Sequence, residues 1–526
     1  MRRLALKTLP LAIALLAFFL RINAGPRIID DAYITYRYSR NILAGNGFVF
    51  NPGERVLGTT TPLYTLLLVL LSLPFGGLNA DFPLLSYSLN ALLDSLSCGI
   101  LYQLGKKLGC NTLGLSSALA FALAPFSVTF SIGGLETSLY VLLLLSTCYT
   151  YVNEWFEVAA LLAALAFLTR PDALLLLLPL MLDFALNTWN ALKASDNQPR
   201  VLGSFARTAL TFALPSIAWL TFAHFYFGTF LPNSIAAKAL AYHLPPNSAL
   251  IRLLQHYATP FHEDRTFDKW GIGVGLFLYP SLALFGGIQL IRLTKRALGL
   301  ALFPWLYFIA FAVANPLIFR WYLTPPIPFY FLCIFMGIIT LWQRLSYSIR
   351  SKFPHFSQHL SHSLFLPTLA IPSLLVLPAW KLHPSHGPDR PAPEMAYIQL
   401  ELHYEEAALF LRSHFKRPSS ELWVAAGDVG VLGYLTGANI LDTVGLNSPV
   451  TLRYLPLERE SYVINYAVPT QLILDYLPDY VVILEVYGRK TLLQSRDFHE
   501  RYHLLRTIDT DIYGSNGLMI FAKSSP

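Results

Sequence analysis

The chain has 526 residues, of which 54% are hydrophobic and only 13% are charged. This balance excludes an ordinary soluble enzyme and indicates a polytopic membrane protein. The net charge of +7 does not indicate nucleic-acid binding, because the Lys and Arg residues stand in short clusters between apolar segments. That is the pattern by which membrane proteins are oriented.

The first apolar segment, residues 4–20, follows three basic residues, and no good small-residue cleavage site comes after it. We predict an uncleaved helix with a cytoplasmic N-terminus, the alternative being a cleavable signal peptide. The acidic pair Asp30-Asp31 then lies on the outer side of the membrane. Carboxylates placed where a chain leaves a bilayer are costly unless solvated or paired, which favours a functional role.

Residues 22–82 are predicted to form one long outer loop that carries juxtamembrane helices. Its apolar run, residues 63–76, is shorter than the roughly 20 residues that a span needs, which indicates an interfacial or re-entrant helix. If this run does not cross the membrane, the span at residues 83–104 places Lys106 and Lys107 in the cytoplasm. This agrees with the rule that cytoplasmic loops are rich in Lys and Arg.

The same alternation of cytoplasmic and outer loops gives the orientation of every later span in the membrane domain, residues 1–380. Basic clusters fall on one side throughout, so the prediction is about eleven transmembrane helices in total. The remaining spans are predicted at residues 113–130, 139–152, 159–168, 173–186, 208–227, 272–290, 298–314, 326–342 and 364–380. On the outer side this topology leaves Glu136, Arg170, Asp172, Lys238, Arg320 and Tyr322.

From residue 381 the composition becomes mixed and water-soluble. Residues 381–393 are rich in Pro and His and are predicted to be a linker, and residues 394–526 to be an extracytoplasmic α/β domain. In that domain the patterns predict a helix at residues 394–416. Strands are predicted at residues 422–426, 439–442, 480–484 and 518–521.

The acidic pair has two interpretations of about equal weight. A carboxylate at the start of a helix at residues 30–44 is favoured by the helix dipole and stays ionised, as a general base must. It is equally typical of a helix cap whose neighbour pairs with an arginine. One of the two residues, Asp30 or Asp31, could cap while the other reacts.

The other charged residues of the outer side suit a lipid-phosphate donor. Cations can hold its phosphate while a carboxylate deprotonates the incoming hydroxyl. Taken singly, such residues are more often topology anchors or structural ion pairs. The donor-binding candidates are Arg37, Arg170, Lys238, Arg320 and Tyr322, and the candidates for orienting an acceptor or a cation are Glu136 and Asp172.

Several stretches match a known family. The stretch DDAYITYRY at residues 30–38, followed by NILAGNGFVFNPGERV at residues 41–56, resembles the first outer loop of GT-C glycosyltransferases. The likeness is strongest to the terminal arabinofuranosyltransferases of mycobacterial cell walls, and weaker to lipid A aminoarabinose and protein O-mannosyl transferases. Further stretches resemble the family in the same order, namely GLET at 134–137, LTRPD at 168–172, LPNS at 231–234 and GDVG at 427–430.

The resemblance implies a multi-pass enzyme of a bacterial-type plasma membrane that uses a polyprenyl-phosphate sugar donor. It implies an inverting displacement with an Asp of the first outer loop as base. Aligned by the acidic pair, that residue is Asp30, with Asp31 in reserve. Some relatives use a divalent metal and others do not, so the sequence implies no certain cofactor. The acceptor could be a glycan, a lipid or a protein.

Two other functions are alternatives to the enzyme. A lipid or glycolipid transporter or flippase also needs many spans and buried charges, but usually has inverted repeats and polar residues near the middle of the bilayer. A membrane anchor whose function is binding by the C-terminal domain would leave the charged outer loops unexplained. The polar landmarks at outer helix ends favour the enzyme.

Overall fold

The computed structural model describes residues 2–194, 198–261, 269–352 and 396–524. The first 352 residues are helical. Helices α1 to α7 are Arg2–Ala24, Asp30–Leu43, Pro62–Ser72, Phe82–Lys107, Asn111–Leu123, Pro125–Ile132 and Thr137–Val152. Helices α8 to α15 are Phe156–Thr169, Leu174–Ala194, Gln198–Phe227, Asn233–Ala241, Ser248–Ala258, Lys269–Leu293, Leu298–Ala314 and Ile327–Lys352.

Every predicted span that falls on described residues coincides with a helix or, at residues 113–130, with the pair α5 and α6, which bend by 54°. The last predicted span, residues 364–380, lies outside the described residues. By length and composition, six described helices can cross a membrane, or seven if the bent pair is one span. Because α1, α7 and α8 offer only shorter apolar stretches, the number of eleven stays a prediction.

The helices pack around one large apolar cluster, with α13 against α15, α1 against α4, and α7 against α4 and α8. Their outer surface is apolar as well. Large side chains such as Phe225 and Val313 are each 81% exposed. An apolar surface of this kind is costly in water but suits contact with lipid.

The C-terminal residues form a mixed α/β unit around one sheet. Strands β1 to β5 are Trp423–Ala426, Asn439–Asp442, Tyr480–Leu484, Tyr502–Ile508 and Leu518–Lys523, in the spatial order β2-β1-β3-β5-β4. The first three are parallel, and β5 is antiparallel to both β3 and β4. Helices α16 to α20 are Ala396–His414, Gly430–Thr436, Thr470–Tyr476, Glu485–Gly488 and Arg496–Arg501.

The helix and the four strands predicted for this region are present, and β4 was missed. The pattern of β4 offers no apolar run, because it is an edge strand whose central residues are mostly exposed. The linker predicted at residues 381–393 lies outside the described residues.

Alternating residues of the sheet bury two faces, each against a short helix that is not a predicted span. One face, with Val424 and Val482, shares an apolar cluster with Ile34 and Tyr38 of α2. The other, with Leu441 and Val481, packs with Ala237 and Ala241 of α11. Helices α2 and α11 are therefore held between the helical bundle and the sheet.

A backbone contact sets the position of α2. The Arg27 and Ile29 N–H groups each donate, over 3.0 Å, to the carbonyls of Ile132 and Gly133. The start of α2 is thereby placed beside the turn that precedes α7, where Glu136 stands.

Candidate active site

A cavity of about 760 Å³ lies between α2, α11 and α14, and is also lined by the turn before α7 and the segment after α8. Helix α8 has only 14 residues, so at about 1.5 Å per residue it is shorter than a bilayer core. Six of the predicted site residues line the cavity: Asp31, Glu136, Arg170, Asp172, Lys238 and Tyr322. Segments far apart in sequence thus bring most of the predicted charges together.

Arg170 is held by two carboxylates. Its Nε and Nη2 donate to the two carboxylate oxygens of Asp172, each over 3.0 Å, and its Nη1 lies 3.5 Å from Glu136 Oε1. The guanidinium also lies 4.8 Å from the ring centre of Tyr322 and 5.2 Å from that of Tyr140. This arrangement is a buried, bidentate ion pair, whose loss from one side would be costly.

Lys238 and Asp31 form the looser pair of the site. Lys238 Nζ lies 3.8 Å from Asp31 Oδ2, and the side chains keep 23% and 33% of their surface exposed. The ammonium also lies 4.9 Å from the ring centre of Phe319 and 5.9 Å from that of Tyr322. Burial lowers the pKa of Lys238, but Tyr322 and Asp31 outweigh this and raise it overall. Lys238 is thus a charged group that a ligand in the cavity can reach.

The first outer loop and the C-terminal domain together hold the helix that carries Lys238. Asn233, the first residue of α11, donates its backbone N–H to Leu57 O over 2.8 Å and its side-chain amide to Leu446 O over 3.1 Å. Together with the apolar contacts of Ala237 and Ala241, these bonds position Lys238 relative to α2.

Asp30 faces away from this cavity, into the C-terminal domain. Its carboxylate accepts hydrogen bonds from the Gly430 and Val431 N–H groups over 2.9 and 2.8 Å, and its own N–H donates to Glu401 Oε1 over 2.9 Å. Burial and, less strongly, the charge of Asp428 raise the pKa of Asp30 to about 8, while the two N–H donors oppose this shift. Asp30 thus caps the first turn of α17 in the C-terminal domain. The cap predicted from the sequence was that of α2 itself, but α2 begins after Ile29 without a side-chain cap, and Asp31 lies beside Lys238 rather than an arginine.

Two donor-binding candidates are not part of the described cavity wall. Arg37 is buried and donates over 2.7 Å to each of the carbonyls of Phe50 and Ala438, joining the first loop to the C-terminal domain. It is not among the described residues that line the cavity. The side chain of Arg320 lies outside the described residues, although its backbone begins the turn Arg320–Leu323.

Sequence reasoning overlooked part of the cavity wall. Thr59, Thr60 and Thr61 line it, in a threonine run whose only signal was its place in the first loop. Trp321 is buried and also lines it. In the C-terminal domain the stretch GDVG at 427–430 was recognised, but its contacts could not be predicted, because they join segments about 400 residues apart.

The carboxylates that could bind a cation are already engaged. Among the described residues, no group of three or more His, Cys, Asp or Glu side chains is placed to hold a metal ion. Glu136 and Asp172 both pair with Arg170, so a cation bound between them would have to displace the guanidinium.

Comparison with solved structures identifies the fold. ArnT from Cupriavidus metallidurans, solved bound to undecaprenyl phosphate, aligns with 98% of this chain and 97% of its own, with a TM-score of 0.58 and 13% identity. The chain has a GT-C fold. A second GT-C structure, the oligosaccharyltransferase AglB from Archaeoglobus fulgidus with an inhibitory peptide and a dolichol-phosphate, aligns with 100% of this chain and 74% of its own, with a TM-score of 0.55 and 11% identity.

Sequence comparison agrees with the predicted resemblance. The terminal β-(1→2)-arabinofuranosyltransferase of Mycobacterium tuberculosis (strain ATCC 25618 / H37Rv) is 31% identical over 235 residues. This match covers 41% of the chain and 35% of that relative, so it spans about a third of the relative's length. Residues 394–521 match a family described as a domain of unknown function (DUF8728). The predicted resemblance to GT-C glycosyltransferases is confirmed, and the chain is a multi-pass membrane protein.

Proposed function

We propose that this protein is a membrane glycosyltransferase that moves a sugar from a polyprenyl-phosphate donor to an acceptor on the outer side of a bacterial-type plasma membrane. The carrying observation is the pair in the cavity, where the accessible carboxylate of Asp31 lies 3.8 Å from the ammonium of Lys238. A base and a cation this close suit a reaction in which one substrate loses a proton and the other releases a phosphate.

Asp31 is the general base in this proposal. Of the two adjacent carboxylates, that of Asp30 accepts two backbone hydrogen bonds in the domain interface, whereas that of Asp31 keeps a third of its surface exposed and lines the cavity. A general base must come within hydrogen-bond reach of the hydroxyl that it deprotonates. Asp31 lines the cavity and is assigned this role, whereas Asp30 holds the C-terminal domain against α2.

The reaction is a single displacement at the anomeric carbon. The acceptor hydroxyl transfers its proton to Asp31 while its oxygen forms a bond to that carbon, and the bond from the carbon to the phosphate oxygen breaks. The phosphate leaves with the electron pair, and Lys238 neutralises its growing charge. The products are a glycoside of inverted configuration and the polyprenyl phosphate.

Arg170 acts with its two carboxylates. Because the Nε and Nη2 groups of Arg170 already donate to Asp172, Arg170 is less available to a phosphate than Lys238. We assign to Arg170, Glu136 and Asp172 the orientation of the acceptor and of Tyr322, whose ring lies near both Arg170 and Lys238.

The test is reconstitution of the full chain in liposomes with a panel of radiolabelled polyprenyl-phosphate sugars. The proposal expects one donor to be cleaved, with free polyprenyl phosphate and a labelled glycoside or, without acceptor, the free sugar. Movement of intact labelled donor between leaflets without cleavage would instead identify a transporter. Absence of cleavage of every donor would contradict the proposal.

Lys238→Gln is expected to raise the donor KM about 10- to 100-fold, because a hydrogen bond to a charged group is worth about 1.5–3 kcal/mol. The acceptor KM should change little. Steady-state kinetics with varied donor measures the effect, and Lys106→Gln, an exposed lysine at the end of α4, is the matched control. An unchanged donor KM would remove Lys238 from the phosphate site.

A further inference from the structure

A second cavity, of about 470 Å³, lies between the helical bundle and the C-terminal domain. We call it the interdomain chamber. Its volume falls in the range of small-molecule sites. It shares part of its wall with the main cavity, and the shared polar residues are Asp31, Lys238 and Tyr242. A ligand in the chamber and a ligand in the main cavity would therefore meet at the carboxylate of Asp31.

The two cavities differ in the charge of their walls. In the main cavity Asp31, Glu136 and Asp172 stand beside two cations, Arg170 and Lys238. In the chamber Asp30, Asp31, Glu401 of α16 and Asp428 of the turn after β1 stand beside Lys238 alone. A phosphate is therefore repelled more strongly from the chamber than from the main cavity. The chamber is thus the complement of the donor site rather than a second copy of it.

Glu401 shows that the chamber is built for a polar ligand. Its side chain is buried, with 8% of the residue exposed, and Oε1 accepts the Asp30 N–H. The other oxygen, Oε2, has no hydrogen-bond partner among the described residues. A buried carboxylate oxygen without a donor is costly, so such atoms in native proteins usually have a protein, water or ligand partner.

The rest of the wall determines what kind of donor fits. Burial raises the pKa of Asp428 to about 6 and that of Glu401 well above its ordinary value. Tyr487, Tyr513 and Asn465 line the same chamber. Hydroxyl groups can donate to the carboxyl oxygens, while aromatic rings cover the C–H faces of a sugar ring.

We propose that the interdomain chamber is the acceptor subsite and that it takes the uncharged, polyhydroxyl end of a glycan, with Glu401 and Asp428 accepting its hydroxyl hydrogen bonds. This inference rests on the proposed function and narrows it, since it selects a glycan over a lipid or protein acceptor. Glu401 and Asp428 hold the sugar, and Asp31 deprotonates the hydroxyl that projects into the main cavity.

The experiment uses the reconstituted full chain with its cleavable donor and a panel of octyl oligosaccharides that includes an arabinofuranosyl disaccharide. Each uncharged acceptor is paired with a carboxylated and an aminated analogue. We expect transfer to an uncharged member, and we expect Glu401→Gln and Asp428→Asn each to raise its KM at least tenfold. The donor KM and the rate of donor hydrolysis by water should stay within twofold. Glu405→Gln, an exposed carboxylate one turn along α16, is the control.

The outcomes separate the two proposals. If the wild-type chain cleaves no donor, the proposed function fails. If it cleaves donor but uses only charged acceptors or none of the panel, or if both variants keep the wild-type acceptor KM, only the chamber assignment is overturned. A fall in kcat with unchanged acceptor KM would show a structural role and would also overturn it. Should one variant not fold, the other carries the test, together with the loss of thermal stabilisation by the acceptor alone.

Discussion

Asp31→Asn is expected to lower sugar transfer about 10²- to 10⁴-fold, the contribution typical of a general base. The amide is nearly the same size but cannot take a proton from the acceptor hydroxyl. Because the Asp31 side chain is a third exposed and its only described ion pair, with Lys238, is 3.8 Å long, the fold should tolerate the change. Transfer rates at saturating donor and acceptor, together with the thermal unfolding midpoint, measure both effects.

Asp30→Asn is the matched variant, one residue away and of identical chemistry. Its amide nitrogen would face a backbone N–H of Gly430 or Val431, so one hydrogen bond becomes a contact between two donors. The expected result is a loss of about 1–3 kcal/mol in the free energy of unfolding, with most of the activity per folded molecule retained. If Asp30→Asn abolishes transfer at normal stability while Asp31→Asn stays active, the base is Asp30 and our assignment of Asp31 is wrong.

Gly430→Ala is expected to separate the C-terminal domain from α2. A Cβ at residue 430 would overlap the backbone carbonyl oxygen of Asp30 and approach its carboxyl carbon to 3.1 Å. A backbone atom cannot turn aside as a flexible side chain does, so α17 must move and the hydrogen bonds to the Asp30 carboxylate are lost. Overpacking and the broken bonds together should cost about 3 kcal/mol or more.

The measurements for Gly430→Ala are the unfolding midpoint of the purified protein and the rate of proteolysis of the C-terminal domain. Gly99→Ala is the control, because a Cβ at that helical residue of α4 meets nothing within 4 Å. Combining Gly430→Ala with Asp30→Asn should cost less than the sum of the two changes, since both break the same contact. Full additivity, or a stability equal to that of Gly99→Ala, would contradict the role of this junction.

The membrane helices and the central strands could be predicted from local pattern. An apolar run must be buried or face lipid in any fold, so it predicts an element without knowledge of its neighbours. The runs at residues 480–484 and 518–521 accordingly form β3 and most of β5 of the sheet. The number of spans could not be settled in this way, because α1, α7 and α8 have apolar stretches too short to judge by length. The polar landmarks were recognisable because carboxylates beside apolar segments are costly unless they are solvated or paired.

What the sequence by itself determined was the class of the protein and six of the residues that line the main cavity. Only the tertiary structure decided how those residues divide their roles. Neighbouring residues of a helix point about 100° apart, so Asp30 and Asp31 must face different surroundings. Which of them faces the cavity depends on where a domain some 400 residues later docks. A helix of that domain, α17, is capped by Asp30 of α2. The domain also positions Lys238 through α11 and adds Glu401 to the wall of the interdomain chamber. No local pattern encodes such contacts, because they exist only once both faces of the sheet are buried.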